Sequence, residues 1–371
     1  MLKIISADNF DLIRSFVDFP ETLYRGDDRY VPYMRRDLIR TLNDLVLRKK
    51  TYTALLATDG DRILGRILFT VEKNKQLATD RCGFFSLFEC VNDQKVCNLL
   101  LDETVSRLKQ SGAEYLSGTY FPHDPDNRRG ILYRGFERAP LIFTSYNPPY
   151  YNELLSTYGL QKHTDAYEYR IDFDKIDLDK LASLADYVKK RCKFHIDTVD
   201  WAHLDRDIAD VHTVMQAASN EVIYQETPSI EALSAVVKQW RRFLCKDYIL
   251  IARTDADDTP IGFAMALPDF FELFRKMRGR LDLKGIGAFL IHRKKIRALR
   301  AILQYVVPDY QSKGAVIALY HAMLDAAVRN GVTYAEAGTM MEQNDKANRA
   351  VRSVGGELER VYRIYYGAIQ P

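Results

Sequence analysis

Val306-Val307-Pro308-Asp309-Tyr310-Gln311-Ser312-Lys313-Gly314-Ala315-Val316 is the stretch on which the reading of this chain turns. A β-branched strand, Ile302 to Val307, stops at a proline, which has no N–H to give a sheet ladder. A short polar loop follows, and a helix over about Ser312 to Arg329 starts inside it. The first N–H groups of a helix have no partner within it and carry the positive end of its dipole, so such a turn suits a phosphate. Gly314 lets an anion come close and Lys313 adds a charge. The spacing is neither GxxxxGK[ST] nor GxGxxG. On the residues alone, a phosphate-binding turn and a plain strand-to-helix turn both stay open.

Outward from this turn the second half reads as a mixed succession of strands and helices. Phe194 to Val199 is a strand, and Ile208 to Ala218 and Ser229 to Leu244 are helices. Tyr248 to Ala252 and Ile261 to Leu267 flank an Asp/Thr/Pro turn and form a hairpin. After the turn-bearing helix, Asn330-Gly331 is a stop, Thr333 to Ala337 a strand, Asp345 to Val354 a helix and Glu357 to Tyr366 a last strand. The first half has the same order. Its hairpin spans Tyr52 to Phe69 across Asp59-Gly60, Gly83 to Val91 is the next strand, and a helix capped by Asp93 runs to about Gln110. The tails also match, since Tyr150 to Ile171 and Ala347 to Ile364 both run helix, glycine, then a Tyr-rich strand. The chain therefore reads as a tandem duplication of an α/β mixed-sheet domain. The expected division is 1–172, a charged connector over 173–193, and 194–371.

Composition agrees with two globular domains. The chain has 371 residues, 47% of them hydrophobic and 28% charged. Basic residues number 53 and acidic residues 50, a balance unlike that of a nucleic-acid wrapper. Five cysteines without a CxxC pair are expected to be reduced thiols. The start has no apolar leader and no run of eighteen apolar residues occurs, so a cytoplasmic protein is expected, with peripheral contact at the inner membrane face kept open. His123-Asp124-Pro125-Asp126 lacks further histidines at ligand spacing, and no metal is expected.

Gln311-x-x-Gly314 resembles the pyrophosphate loop of the GCN5-related N-acetyltransferase (GNAT) superfamily, Gln/Arg-x-x-Gly-x-Gly/Ala between that fold's fourth strand and third helix. Asn344 with Ala347 three residues on, and Gly355 eleven on, looks like its Asn-x-x-Ala motif. Leu23 to Asp27, Gly83 to Cys90, Asn147 to Tyr151, Leu267 to Phe270 and Tyr362 to Tyr365 resemble a tandem, mostly uncharacterised bacterial branch, and span nearly the whole chain.

The resemblance implies two tandem GNAT-like domains and an acyl-CoA substrate, acetyl-CoA or a longer acyl-CoA. The main chain of Val306 and Val307 would pair with the pantetheine arm, and an N–H near Val307 would polarise the thioester carbonyl. Gln311, Ser312, Lys313, Gly314, Ala315 and Val316 would cradle the pyrophosphate, with Asn344 beside them. An amine must lose a proton to attack, and Glu336 is the first candidate base, Glu342 the second. Three departures stand out. Val316 replaces the family's small residue. Val351 stands where many members carry a tyrosine that protonates the leaving thiolate, with Tyr310, Tyr362 or Tyr365 as substitutes. The first half has Cys90-Val91-Asn92-Asp93-Gln94-Lys95-Val96 in place of the loop, with a carboxylate where a phosphate would sit. That half is expected to have lost CoA binding and to shape the acceptor site or buttress the fold, with Glu89 and Tyr150 as candidate acceptor contacts.

Residues 270–300 hold ten Lys or Arg against two acidic residues, a formal +8 among aromatic and aliphatic side chains. A solvated helix face and a contact with an acidic or lipid-like partner are both readings of this segment, and Arg275, Lys276 and Arg278 are its candidate contacts with anionic lipid. The expected activity is acyl transfer to an amine, with small-molecule and lipid-like acceptors both open. The alternatives are a non-catalytic binding or structural module of the same fold, and an aminoacyl-tRNA-dependent transferase.

Overall fold

Alternation of buried side chains along each strand builds a sheet covered on both faces. In the first half β1 (Leu2–Ser6), β2 (Thr53–Asp59), β3 (Arg62–Thr70) and β4 (Cys82–Cys90) pair antiparallel in sequence, and β4 runs parallel to β5 (Tyr115–Gly118). Along β2, Leu55 and Ala57 point into one core with Leu100, Leu101 and Tyr151, while Ala54 and Leu56 point into another with Phe16, Leu38 and Leu42. The computed structural model describes residues 1–71, 81–124, 128–218, 227–241, 244–271 and 296–370.

The chain forms two compact units. The first holds Met1–Tyr167 and Arg360–Pro371, with Phe270 and Phe271, and the second holds Glu168–Asp269 and Lys295–Glu359. The second repeats the pairing of the first. There β8 (Phe194–Thr198), β9 (Ile249–Thr254), β10 (Pro260–Pro268) and β11 (Ala298–Val306) pair antiparallel, and β11 runs parallel to β12 (Tyr334–Met341). Both units carry a register shift at the same place, between Arg66 and Leu68 on β3 and between Met265 and Ala266 on β10. The repeated element order read from sequence is thus present strand for strand.

The last strands are exchanged. The end of β13 (Glu357–Ala368) pairs with β5 in the first unit through Tyr365↔Gly118, and with β6 (Ile131–Arg134) through Tyr362↔Leu132. The later part of β7 (Gln161–Asp172) lies in the second unit, where β7 neighbours β12. The stretch expected as a connector, 173–193, contains the helix Leu178–Cys192, whose Ala185 and Val188 pack in the second unit's core with Leu250, Ile261 and Leu319. The long polar stretch after β5 contains β6, which the composition of that stretch hid. The strand before the decisive turn is longer than expected, Ala298–Val306, and the helix after it begins only at Ala315, preceded by one short turn of helix, Pro308–Gln311.

Candidate active site

In the second unit β11 and β12 stay in register from Ala298↔Tyr334 to Ala301↔Ala337, and their pairing ends there although both strands continue. β11 remains bound to β10 on its other side. The Val307 N–H donates to the Ile261 carbonyl at 2.9 Å, which makes 261 and 307 a hydrogen-bonded pair. Alternation then turns the main-chain groups of Val306 and Gln304 away from β10, toward the side on which β12 has diverged. Val307, expected to offer its N–H to a ligand, spends it on the sheet. Val306 and Gln304 both turn their main-chain groups to that side, a strand phase that is not written in a β-branched run.

Past β11 the turn folds on itself. The Gln311 side-chain amide donates to the Val306 carbonyl at 3.1 Å and accepts from Lys346 Nζ at 2.9 Å. Lys313 Nζ lies 4.4 Å from the centre of the Tyr310 ring. Gly314 has φ +81°, a conformation that favours glycine, and a Cβ there would meet Val188 Cγ1 at 2.8 Å. The helix Ala315–Arg329 starts at this glycine, and no side chain caps it. Its N-terminal N–H groups therefore point out of an uncapped end, next to Ser312 and Lys313, both exposed. Ala315 is buried and Val316 is packed against the core, so the larger side chain at 316 is taken up inward.

The matching turn of the first unit has the opposite character. Asp93 caps the helix Gln94–Gln110 by accepting from the Lys95 N–H at 2.8 Å. A carboxylate occupies the end that a phosphate would need.

The remaining candidates fall in three places. Asn344 caps the helix Asp345–Ser353 by accepting from the Ala347 N–H at 3.2 Å, and it also accepts at its carbonyl from Asn348. Asn348 in turn bonds the Met341 carbonyl and the Tyr169 hydroxyl, a link the motif did not reveal. Glu336 is sealed in the paired part of β12, in register with Arg300, two residues before Gly338. Arg300 is itself buried, ion-paired with buried Glu168 and donating to the Gly338 carbonyl at 2.6 Å. Glu342 is half-buried just past the end of β12. Val351 is fully buried, so no side chain reaches out from that position. Tyr362 and Tyr365 belong to the first unit, where Tyr362 is fully buried against Gly130 and the Tyr365 hydroxyl, pushed up to about 12 chiefly by burial, donates to Asn152.

Glu89 and Tyr150 come together in the first unit. Glu89 sits at the end of β4, and its Oε2 accepts from the hydroxyls of Tyr24 at 2.7 Å and Tyr151 at 2.8 Å. Arg66 lies 3.5 Å from Oε1. Burial is the largest influence on Glu89 and raises its pKa above the ordinary carboxylate value, against the lowering effect of Arg66 and the tyrosines. Tyr150 donates to the Cys90 carbonyl at 2.8 Å, and the Tyr151 hydroxyl accepts from the Cys90 N–H at 2.8 Å. Tyr24, Arg66 and Tyr151 were not foreseen as one cluster, because residues 24, 66, 89 and 151 meet only through the sheet. Arg275, Lys276 and Arg278 lie outside the described residues. Among the described residues no group of three or more His, Cys, Asp or Glu could hold a metal ion, and no helix is long and apolar enough to cross a membrane.

A tandem GNAT protein from the clavulanic acid biosynthesis pathway superposes on the whole chain with a TM-score of 0.57 at 10% identity, covering 99% of that protein. The chain has the tandem GNAT fold. Counting from β8, β11 is the fourth strand, and the Gly314 turn and the helix Ala315–Arg329 follow it directly, the strand-to-helix order that the motif implies. No family model matches the chain. Two curated proteins are similar along nearly all of it. One is Protein YghO of Escherichia coli (strain K12), 23% identical over 95% of this chain and 92% of its own length. The other is the bacterial ceramide synthase of Caulobacter vibrioides (strain NA1000 / CB15N), 21% identical over 99% of this chain and 98% of its own.

Proposed function

We propose that this protein is an acyl-CoA-dependent N-acyltransferase whose acceptor is a lipid-like amine. The uncapped helix start at Gly314, set against the carboxylate-capped start at Asp93, is the observation that carries the reading. One unit offers a dianionic pyrophosphate a set of unspent N–H groups and the other repels it. The main chain of Val306 and Gln304 would pair with the pantetheine arm as an added strand. Ser312, Lys313, Gly314, Ala315 and Val316 would surround the pyrophosphate, with Gln311 holding the turn shut from behind.

In the reaction the amine nitrogen attacks the thioester carbonyl, the C–N bond forms and the C–S bond breaks. The nitrogen gives up a proton and the departing thiolate gains one, so acyl-CoA and amine become amide and CoA. Glu342 retains access to solvent past the strand end and suits proton removal. Glu336, sealed beside Arg300, suits holding the strands at the point where they part. The relative named a bacterial ceramide synthase, similar over nearly full length, supports a long-chain amine over a small one. The basic stretch 270–300 supports contact with anionic lipid.

The test is turnover. Purified protein with palmitoyl-CoA and a long-chain amine should release free CoA, detected as a thiol, in step with amide formation, and the long-chain amine should be preferred to a short one. Equal use of short and long amines removes the lipid-like acceptor, and thiol release without amide removes the transfer.

A further inference from the structure

We propose that the first unit contains a binding site for a primary amine head group, in the gap that opens past the β4–β5 pairing, with Glu89 as counter-ion and Ser86 as second acceptor. The β4–β5 register ends at Phe85↔Gly118 while β4 runs on to Cys90. A cavity of about 50 Å³ lies there, bounded by Ser86 to Glu89 on one side and Thr119 to Phe121 on the other. Its volume suits a head group.

Three observations fix the chemistry. Glu89 Oε2 is saturated by two tyrosine hydroxyls, whereas among the described residues Oε1 has only the Arg66 contact, at a distance long for a hydrogen bond, and Glu89 lines the cavity. Arg66 is itself engaged, donating to the Phe16 carbonyl at 2.7 Å. The Ser86 hydroxyl is buried without a hydrogen-bond partner among the described residues, and it lines the same cavity. A buried hydroxyl left so is destabilising, and a ligand N–H would offset that. The third observation is charge. The ionisable acids and bases of the lining are Glu89, Asp124 and Arg128, and Arg128 donates to the carbonyls of Val31 and Pro32 while stacking 3.9 Å from the Tyr33 ring. The acids of the lining outnumber its base by one, and Arg66, outside the lining and 3.5 Å from Glu89 Oε1, balances them; Tyr30, Tyr33 and Tyr146 also line the cavity. An ammonium brings three donors to Glu89 Oε1 and the Ser86 hydroxyl, and a carboxylate would meet Glu89.

The ligand class is the one that acyl transfer needs as acceptor, but the site lies within the first unit and its test reads binding alone. Calorimetric titration of the full chain would compare hexylammonium, hexanol and hexanoate near neutral pH. Hexylammonium is expected to bind saturably and at least tenfold more tightly than either isostere. Glu89→Gln should weaken it about tenfold and Ser86→Ala about threefold, with circular dichroism unchanged. Should Glu89→Gln fail to fold, Ser86→Val fills the cavity while leaving the tyrosine bonds to Glu89 in place, and it should abolish amine binding. No saturable binding by the parent protein, hexanol or hexanoate binding as tightly, or unchanged amine affinity in the folded variants would each overturn the site.

Discussion

Gln311 bonds back to Val306, the last residue of the strand that precedes its own turn. The side chain of the motif glutamine thus fixes the path of the main chain between the strand edge and the helix start, with Lys346 holding its other end. The same bond uses a carbonyl that is not committed to β10. Replacing Gln311 with Ala should loosen the turn without opening the core. CoA affinity should fall about tenfold while the melting temperature stays within about 2 °C, since a part-exposed hydrogen bond contributes only about 1 kcal/mol.

Gly314 makes a sharper test. Its φ of +81° and its approach to Val188 strain any side chain, so Gly314→Ala should destabilise by about 1–2 kcal/mol. Gly314→Glu adds a carboxylate at the proposed pyrophosphate site and should abolish CoA binding. Chemical denaturation of the two variants separates strain, shared by both, from charge, present in one.

Asp93→Ala should cost about 1 kcal/mol through loss of a helix cap and leave CoA binding unchanged. A change in CoA affinity would place the donor in the first unit.

Glu168→Gln removes the charge paired with buried Arg300. Losing one partner of a buried pair typically costs about 3–5 kcal/mol, far more than an exposed pair would. Urea denaturation should show this loss in the second unit, and a shift below 1 kcal/mol would show that the Gly338 carbonyl suffices for Arg300.

The raised pKa of Glu89 gives a pH dependence of known sign. The folded state binds this proton more tightly than the unfolded chain, whose carboxylate titrates near 4.5. Stability from this group should therefore fall as pH rises from about 4.5 through the higher folded value. Urea midpoints measured across that range should show a downward slope in the parent that is reduced in Glu89→Gln.

Much of this architecture was legible because local chemistry and tertiary structure agree. Asp59-Gly60 turns a hairpin, Asp93 caps a helix, and the repeated order of elements announces a duplication. The exchange of β7 and β13 was not legible. Partner choice at a sheet edge is set by which edge is open, and Tyr-rich tails fit either. The phase of β11 was hidden likewise, because Val306 and Val307 are chemically alike and only the bond from Val307 to Ile261 tells which faces the gap. Glu89 stood out in the sequence, but its partners Tyr24, Arg66 and Tyr151 are spread over more than a hundred residues and gave no local signal.

The central claim is that an acyl-CoA binds the second unit at the Gly314 turn. Its most direct measurement is a titration of the folded protein with palmitoyl-CoA, acetyl-CoA and free CoA. One saturable site for all three, tightest for palmitoyl-CoA and lost in Gly314→Glu, is the predicted result. No binding of any of the three would contradict the claim and leave the fold as a non-catalytic module.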